Sequence, residues 1–335
     1  MEQPIRWGIL GASNFAKEQM GPAIHAARGA RLTALATSSA EKAAAFMAFC
    51  PDLEVFESYE DLLASPGIDA VYIPLPNHMH LEWSLKALAT GKHVLCEKPM
   101  TMQSDEFDQL IAARDATGLL AAEAYMIVHH PQWQRARQML ADGAIGPLQH
   151  VSGQFSFNNV DARNIRNRPE VGGGGLRDIG VYVFGSTRFM TREEPGEIAA
   201  RLRWENGVDV FADVQAEFPG FTYSAYVGTR MHPFQDMMFH GQDGVIRLTA
   251  PFNPQVYGEA RIELHQPELG VREERFPAAN HYKLQVEAFG RSVREGVAYP
   301  CPLEFSKGTQ VMIDRVFEVA RDAVTGRGPN GIVVS

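Results

Sequence analysis

Apolar residues in the first third of the chain fall into short unbroken runs separated by stretches of helical periodicity. Residues 5–10, 31–36, 70–73, 93–96 and 119–123 have the length and composition of buried strands. Between them, 59–63, 81–89, 104–116 and the segment carrying Glu41 and Lys42 read as helices. Strands alternating with helices of this length predict an α/β domain with a doubly wound parallel sheet. After Ala124 the texture changes. A helix over 132–141 leads through Gly143 and Gly146-Pro147 into segments of period two: 148–157, 197–204, 208–218, 222–227, 236–240, 244–248 and 260–265. Consecutive alternating strands with turn residues between them predict a large, mostly antiparallel open sheet with one face covered. Amphipathic helices over 282–295 and 306–325 close the chain. The expected division is a dinucleotide-binding domain over 1–124 and a substrate-binding α+β domain over 125–335.

Composition narrows the class of partner. A chain of 335 residues with 45% hydrophobic and 21% charged residues is an ordinary globular protein of two-domain size. A net charge of −9 leaves no basic surface for a nucleic acid. No apolar run has the length to cross a membrane, and the N-terminus enters a strand without a leader-like segment. Cys50, Cys96 and Cys301 are too few and too scattered for a disulfide framework or a zinc site. These features predict a cytoplasmic protein with reduced thiols and without a metal.

Candidate chemistry sits where strands end, because ligands of open parallel sheets bind at the carboxyl ends of strands. The first strand runs into Gly11-Ala12-Ser13-Asn14-Phe15-Ala16, close to the G-x-G-x-x-G/A dinucleotide turn but with Ser13 at the middle glycine. A serine there is small, and its hydroxyl can bond a phosphate. After the second strand, Thr37-Ser38-Ser39 and then Lys42 stand where an NAD site carries an acid. Hydroxyls and a lysine suit a 2′-phosphate, which favours NADP with NAD as the alternative. Ser38 or Ser39 also reads as a plain helix cap, and a capped helix start is itself an anion site. The third run ends on Pro74-Leu75-Pro76-Asn77-His78, the fourth on Glu97-Lys98-Pro99. A lysine closing a strand is most often a surface residue; its neighbours make this one a candidate. Further on, Asp178 and Tyr182 are four apart, one helical turn, directly after four glycines over 172–175. Such a pair reads either as a buried hydrogen bond or as a proton-handling site, and the glycines would let backbone pass close to a ligand. Arg163, Arg166 and Arg168 read as solvated loop charges, or as contacts for an anionic substrate. His129 and His130 are balanced between cleft and core. His25, His150, His232, His240, His265 and His281 are assigned nothing.

These motifs occur in order: the near-fingerprint, Ile73-Pro74-Leu75-Pro76-Asn77-His78, Gly91-Lys92-His93-Val94-Leu95-Cys96-Glu97-Lys98-Pro99, Glu123-Ala124-Tyr125-Met126, His130-Pro131-Gln132 and Gly172 to Tyr182. Together they resemble the glucose-fructose oxidoreductase / inositol dehydrogenase (Gfo/Idh/MocA) family over almost the whole length. The resemblance implies a Rossmann domain, an active site shared with an antiparallel α/β domain, and hydride transfer between NAD(P) and a sugar or polyol. It also implies a homodimer or homotetramer assembled through the second sheet. Lys98 matches the family's Glu-Lys-Pro lysine; Asp178 and Tyr182 match its Asp-x-Gly-x-His/Tyr motif. The implied cofactor contacts are Gly11, Ser13, Asn14, Phe15, Thr37, Ser38, Ser39, Lys42, Pro74, Leu75, Asn77, His78, Glu97 and Lys98. The wording is most similar to the NADP-dependent D-xylose dehydrogenase and trans-dihydrodiol dehydrogenase branch. The leading expectation is therefore oxidation of an aldose such as D-xylose or D-glucose at C1 to a lactone. The rivals are a dihydrodiol dehydrogenase, an anhydro-keto-sugar reductase and, outside catalysis, an NADP-sensing regulator. An inositol-type enzyme is disfavoured because Thr37-Ser38-Ser39 lacks the NAD-type acid and Tyr182 stands for histidine. A tightly coupled transferase is disfavoured by the missing leader.

Overall fold

The computed structural model describes residues 3–267 and 270–324. In chain order the elements are β1 (Ile5–Leu10), α1 (Gly21–Ala26), β2 (Ala30–Ala36), α2 (Ala40–Met47), β3 (Glu54–Phe56), α3 (Tyr59–Ala64), β4 (Ala70–Ile73), α4 (His80–Ala89), β5 (His93–Cys96), α5 (Glu106–Thr117) and β6 (Ala121–Glu123). There follow α6 (Pro131–Ala141), β7 (Leu148–Asn158), α7 (Val181–Thr191), β8 (Ile198–Glu205), β9 (Val208–Phe218), β10 (Phe221–Gly228), β11 (Arg230–Gly241), β12 (Val245–Leu248), β13 (Arg261–Gln266) and β14 (Gly270–Arg275). The last helices are α8 (His281–Glu295) and α9 (Leu303–Val324); the expected end at Thr325 lies outside the described residues.

Two compact units emerge. One comprises residues up to His130 with Asn280–Lys307; the other comprises Pro131–Ala279 with the described residues from Gly308 onward. The first unit is a six-stranded parallel sheet in the order β3-β2-β1-β4-β5-β6. Its central strands β4 and β5 read as nearly continuous apolar runs because both sheet faces are covered. Val71, Ile73, Val94 and Cys96 share one buried cluster with Trp83 and Leu88 of α4 and with Leu110 of α5. Residues of α8 pack against the same sheet: the rings of Trp7 and Phe289 lie 5.0 Å apart, and Glu287 accepts from the Arg28 backbone N–H at 3.1 Å.

The second unit is an eight-stranded sheet in the order β14-β13-β12-β11-β7-β10-β9-β8. All its pairs are antiparallel except β7 with β10. The α/β reading and the mostly antiparallel second sheet stand. The two strands missed by pattern, β3 and β14, are edge strands. They are short or charged and lack a buried face, so no apolar period marks them. Strand β11 begins six residues before the expected Asp236 because it tolerates Pro233 at a break in its pairing with β7, between Arg230 and Phe234.

The first unit holds four buried histidines, His80, His129, His130 and His281. Burial lowers all four pKa values, to about 4 for His80 and His130 and about 3 for His129. The unfolded chain therefore binds protons below about pH 6.5 that the native state refuses, and stability drops as pH falls from that point towards 4. At pH 5 each such group removes about 2 kcal/mol. In urea unfolding, His129→Gln is expected to lose about 2 kcal/mol less than the parent between pH 7 and pH 5. Equal losses in the two proteins would contradict a neutral, buried His129.

Candidate functional site

Strand order in the first unit reverses between β1 and β4, and the expected cofactor residues lie on the turns, or in the first turns of the helices, that follow β1, β2, β4 and β5 at the carboxyl edge. Gly11 follows β1 with φ at 97°, and a Cβ there would stand 2.8 Å from Leu75 Cδ2. Only glycine allows this conformation and this approach, so the turn after β1 rests on the turn after β4. Ser13 Oγ accepts the Ala16 backbone N–H at 3.0 Å, capping the helical segment that follows. That segment opens as a π-helix over Ala16–Met20, with Asn14 and Phe15 exposed just before it. After β2, Thr37 Oγ1 accepts from the Ser39 N–H at 3.3 Å and Ser39 Oγ accepts from the Lys42 N–H at 3.2 Å. Ser38 and Lys42 are exposed at the start of α2. After β4, Pro74 and Leu75 are buried, Asn77 is half-buried and His78 is exposed.

The end of β5 is the most tightly bonded place on this edge. Glu97 Oε1 accepts the Tyr72 hydroxyl at 2.6 Å, and Oε2 accepts the Lys98 backbone N–H at 3.3 Å. Burial pushes the Glu97 carboxyl up, while the Lys98 charge and the Tyr72 bond hold it down. The Lys98–Pro99 bond is cis. One residue on, the Met100 N–H donates to Glu123 Oε1 at 2.9 Å, which ties the end of β5 to the end of β6. His80 completes the array from the head of α4. Fully buried, its Nδ1 lies 2.7 Å from the Pro99 carbonyl and its Nε2 2.7 Å from the Leu75 carbonyl. A neutral imidazole carries one N–H and so donates to one of these oxygens at a time. His80, Tyr72 and Glu123 were given no role from sequence. The signal was a histidine at the head of a helix that follows a strand end, and a carboxylate ending an apolar strand.

In the second unit, Asp178 lies in a π-helical turn, Leu176–Gly180, that runs directly into α7, and Tyr182 is the second residue of α7. The expected α-helical turn between the two residues is thus a wider one at its start, a feature frequent at functional sites. Asp178 Oδ2 accepts from Arg166 Nε at 2.5 Å. Tyr182 is buried, its ring 5.6 Å from Phe155 and 5.4 Å from Phe252. The nearby Tyr257 phenol donates to the Ser156 carbonyl at 3.2 Å; burial and the Asp178 charge push its pKa up. All three loop arginines are ion-paired within the chain, Arg163 to Asp161, Arg166 to Asp178 and Arg168 to Glu170, so solvated charge is an incomplete description of them.

Two glycines of the run also make room within the chain. A Cβ on Gly173 would meet the carbonyl oxygens of Arg166, Ile165 and Arg168 at 2.6 to 2.8 Å, and one on Gly174 would run into Asp209 Oδ1. The backbone there is approached by the protein itself. His129 and His130 are buried in the first unit, which resolves their reading towards packing. Among the described residues no group of three or more His, Cys, Asp or Glu is placed to hold a metal.

Residues 5–125 match the model of the Gfo/Idh/MocA oxidoreductase family with an NAD-binding Rossmann fold, and residues 133–247 match the Gfo/Idh/MocA C-terminal domain. The chain belongs to the Gfo/Idh/MocA family. It is 32% identical over 318 residues to a dTDP-3,4-didehydro-2,6-dideoxy-α-D-glucose 3-reductase of Saccharopolyspora spinosa, covering 94% of this chain and 95% of that one. It is 30% identical over 320 residues to a D-xylose 1-dehydrogenase (NADP(+)) of Haloferax volcanii, covering 94% and 97%. The crystal structure of KijD10, a 3-ketoreductase of Actinomadura kijaniata in complex with NADP and TDP-benzene, superposes with a TM-score of 0.86 at 28% identity, covering 94% and 98%. Variants of that enzyme, solved in the same complex, alter a lysine and a tyrosine 84 positions apart.

Membership makes this chain an oxidoreductase, and the expectation of an enzyme stands over that of a cofactor sensor. Within the family fold, His80 is the side chain that joins the β4 turn to the β5 turn. His80→Phe removes the donor from between two buried carbonyls and should cost about 2 kcal/mol of unfolding free energy in urea. His80→Gln, which restores N–H groups, should recover part of it. A His80→Phe protein as stable as the parent would show that the two turns hold without this bridge.

Proposed function

We propose that this enzyme is an NADP-dependent sugar oxidoreductase that moves a hydride between a carbinol carbon of the sugar and the nicotinamide. The observation that carries the cofactor reading is the end of β2: hydroxyls, an exposed lysine and a helix N-terminus stand there, at Thr37, Ser38, Ser39 and Lys42. These groups fit a 2′-phosphate, and no carboxylate stands at 37–39 to bond a ribose hydroxyl instead. The Gly11 turn and the capped helix after it fit a pyrophosphate. Asn14, Phe15, Pro74, Leu75, Asn77, His78, Glu97 and Lys98 complete the proposed cofactor contacts. NADP in the complexes of the A. kijaniata enzyme supports the same reading.

The bound nicotinamide supplies the hydride acceptor. The protein's part is to take the hydroxyl proton and to stabilise the forming carbonyl oxygen. Tyr182 is proposed to exchange that proton, Lys98 to supply the positive charge that acidifies it, and Asp178 to orient the sugar. A phenol of pKa about 10 needs such a cation to act near neutrality. Lys98 and Tyr182 are themselves 84 positions apart, the separation of the lysine and tyrosine altered in the A. kijaniata enzyme. Glu97, bonded to Tyr72 and to the Lys98 backbone, sets the lysine's place.

An aldose such as D-xylose or D-glucose, oxidised at C1 to the lactone, is the proposed substrate. The pairing of Arg163, Arg166 and Arg168 with carboxylates of their own chain suits an uncharged sugar. A second reading, reduction of a keto sugar, is favoured by the likeness to 3-reductases of nucleotide sugars. The parallel-sheet domain over 1–124 is proposed to hold the dinucleotide, and 125–335 to hold the sugar and to join copies into a dimer or tetramer through its sheet. Cys50, Cys96 and Cys301 are buried free thiols, which suits the proposed cytoplasmic location.

Absorbance of the reduced nicotinamide tests the proposal. NADP⁺ with D-xylose or D-glucose should give signal, and NADPH with a keto sugar should lose it if the second reading holds. Lys98→Met should abolish turnover, lowering kcat at least about 1000-fold, and leave NADP affinity within about tenfold. A fully active Lys98→Met protein would overturn the site assignment. NADP binding without turnover on pentoses, hexoses, keto sugars and a dihydrodiol would overturn the substrate class.

A further inference from the structure

Asp209 of β9 is 1% exposed, yet it is a carboxylate. Its Oδ2 accepts the Leu176 backbone N–H at 2.6 Å, at the first residue of the π turn that continues into α7. Gly174, at φ 128°, brings its backbone so close that any Cβ would collide with Asp209 Oδ1, and a Cβ on Gly175 would stand 3.2 Å from Oδ2. Two of the four consecutive glycines are therefore the space through which this carboxylate reaches the helix. An acceptor at a helix N-terminus satisfies amides that have no partner within the helix, and a negative charge there opposes the helix dipole. Such a cap ordinarily comes from the residue just before the helix. Here Gly175 occupies that place and has no side chain to offer, and the cap comes from 33 residues further along the chain.

We propose that Asp209 is a positioning residue of the catalytic helix: by fastening the backbone at 174–176 it sets the direction in which Asp178 and Tyr182 are presented. The inference rests on the roles proposed above for those two side chains. A helix fixed at its first turn places residues two and six positions further on, and a shift of about 1 Å at reacting groups costs about 100-fold in rate. Burial pushes the Asp209 carboxyl up to about 7, against the pull of the Leu176 and Gly175 N–H groups and of the Arg177 charge. The ionised carboxylate is the better acceptor, so the fastening weakens as pH falls through that value.

Kinetics and hydrogen exchange on Asp209→Asn and Asp209→Ala test this. Asp209→Ala should lower kcat by about 100-fold while KM for NADP⁺ stays within about threefold. Asp209→Asn keeps an oxygen for the Leu176 N–H but does not titrate. It should retain kcat within about tenfold and lose the acid limb that Asp209 imposes near pH 7. The amides of 174–178 should exchange faster in Asp209→Ala and close to normally in Asp209→Asn. Asp209→Ala with parental kcat, or an acid limb unchanged in Asp209→Asn, would overturn the proposal. So would unchanged exchange at 174–178 in Asp209→Ala, a readout that needs no substrate and so separates this inference from the functional reading.

Discussion

Parallel strands that end together leave their last amides and carbonyls without sheet partners, and those groups must be satisfied by the turns that follow. On the carboxyl edge of the first sheet this demand is met by buried polar side chains acting across strands. Glu97, held by the Tyr72 hydroxyl, takes the Lys98 N–H, Glu123 takes the Met100 N–H, and His80 lies against the Leu75 and Pro99 carbonyls. The Tyr72–Glu97, Met100–Glu123 and His80–Pro99 contacts join residues nineteen or more positions apart that are adjacent on the edge. Together they fix the backbone on either side of Lys98. The same edge is where a doubly wound sheet offers its crevice to a ligand, so the groups that satisfy the backbone also lie beneath the proposed cofactor site.

The second unit solves a related problem with different parts. Its sheet supplies Asp209 to the start of a helix instead of a strand end, and glycines make room for it. In both units a glycine-containing turn leads into a helix whose first turns are π-helical, at Ala16–Met20 and at Leu176–Gly180. A π turn widens the spacing of side chains and amides locally, and here it occurs where a ligand-facing geometry is proposed. Ser13 caps the first such helix from within its own turn, and Asp209 caps the second from another strand.

Much of this was legible in the chain because the physics was local. Continuous apolar runs mark β4 and β5, buried on both faces, and alternation marks β9 and β10. The near-fingerprint at Gly11 and the cap at Ser39 are likewise short-range. What stayed hidden depends on partners brought in by the fold. His80 reads as one histidine among eleven until two carbonyls are placed beside it. Asp209 reads as a polar residue in an alternating strand, and nothing in its neighbours announces a helix start 33 residues earlier. The glycines over 172–175 suggested a close approach, but nothing local showed that Asp209 and the carbonyls of 165–168 come up against Gly173 and Gly174. Edge strands β3 and β14 escaped because an unburied strand carries no hydrophobic period.

Hydrogen exchange with and without NADPH tests most directly the claim that the carboxyl edge of the first sheet is the cofactor floor. Bound NADPH should slow exchange in four separate stretches, 11–16, 37–42, 74–80 and 97–100, because all four lie on that edge beside the strand-order reversal. Protection confined to other strands or loops, or none at saturating NADPH, would contradict it.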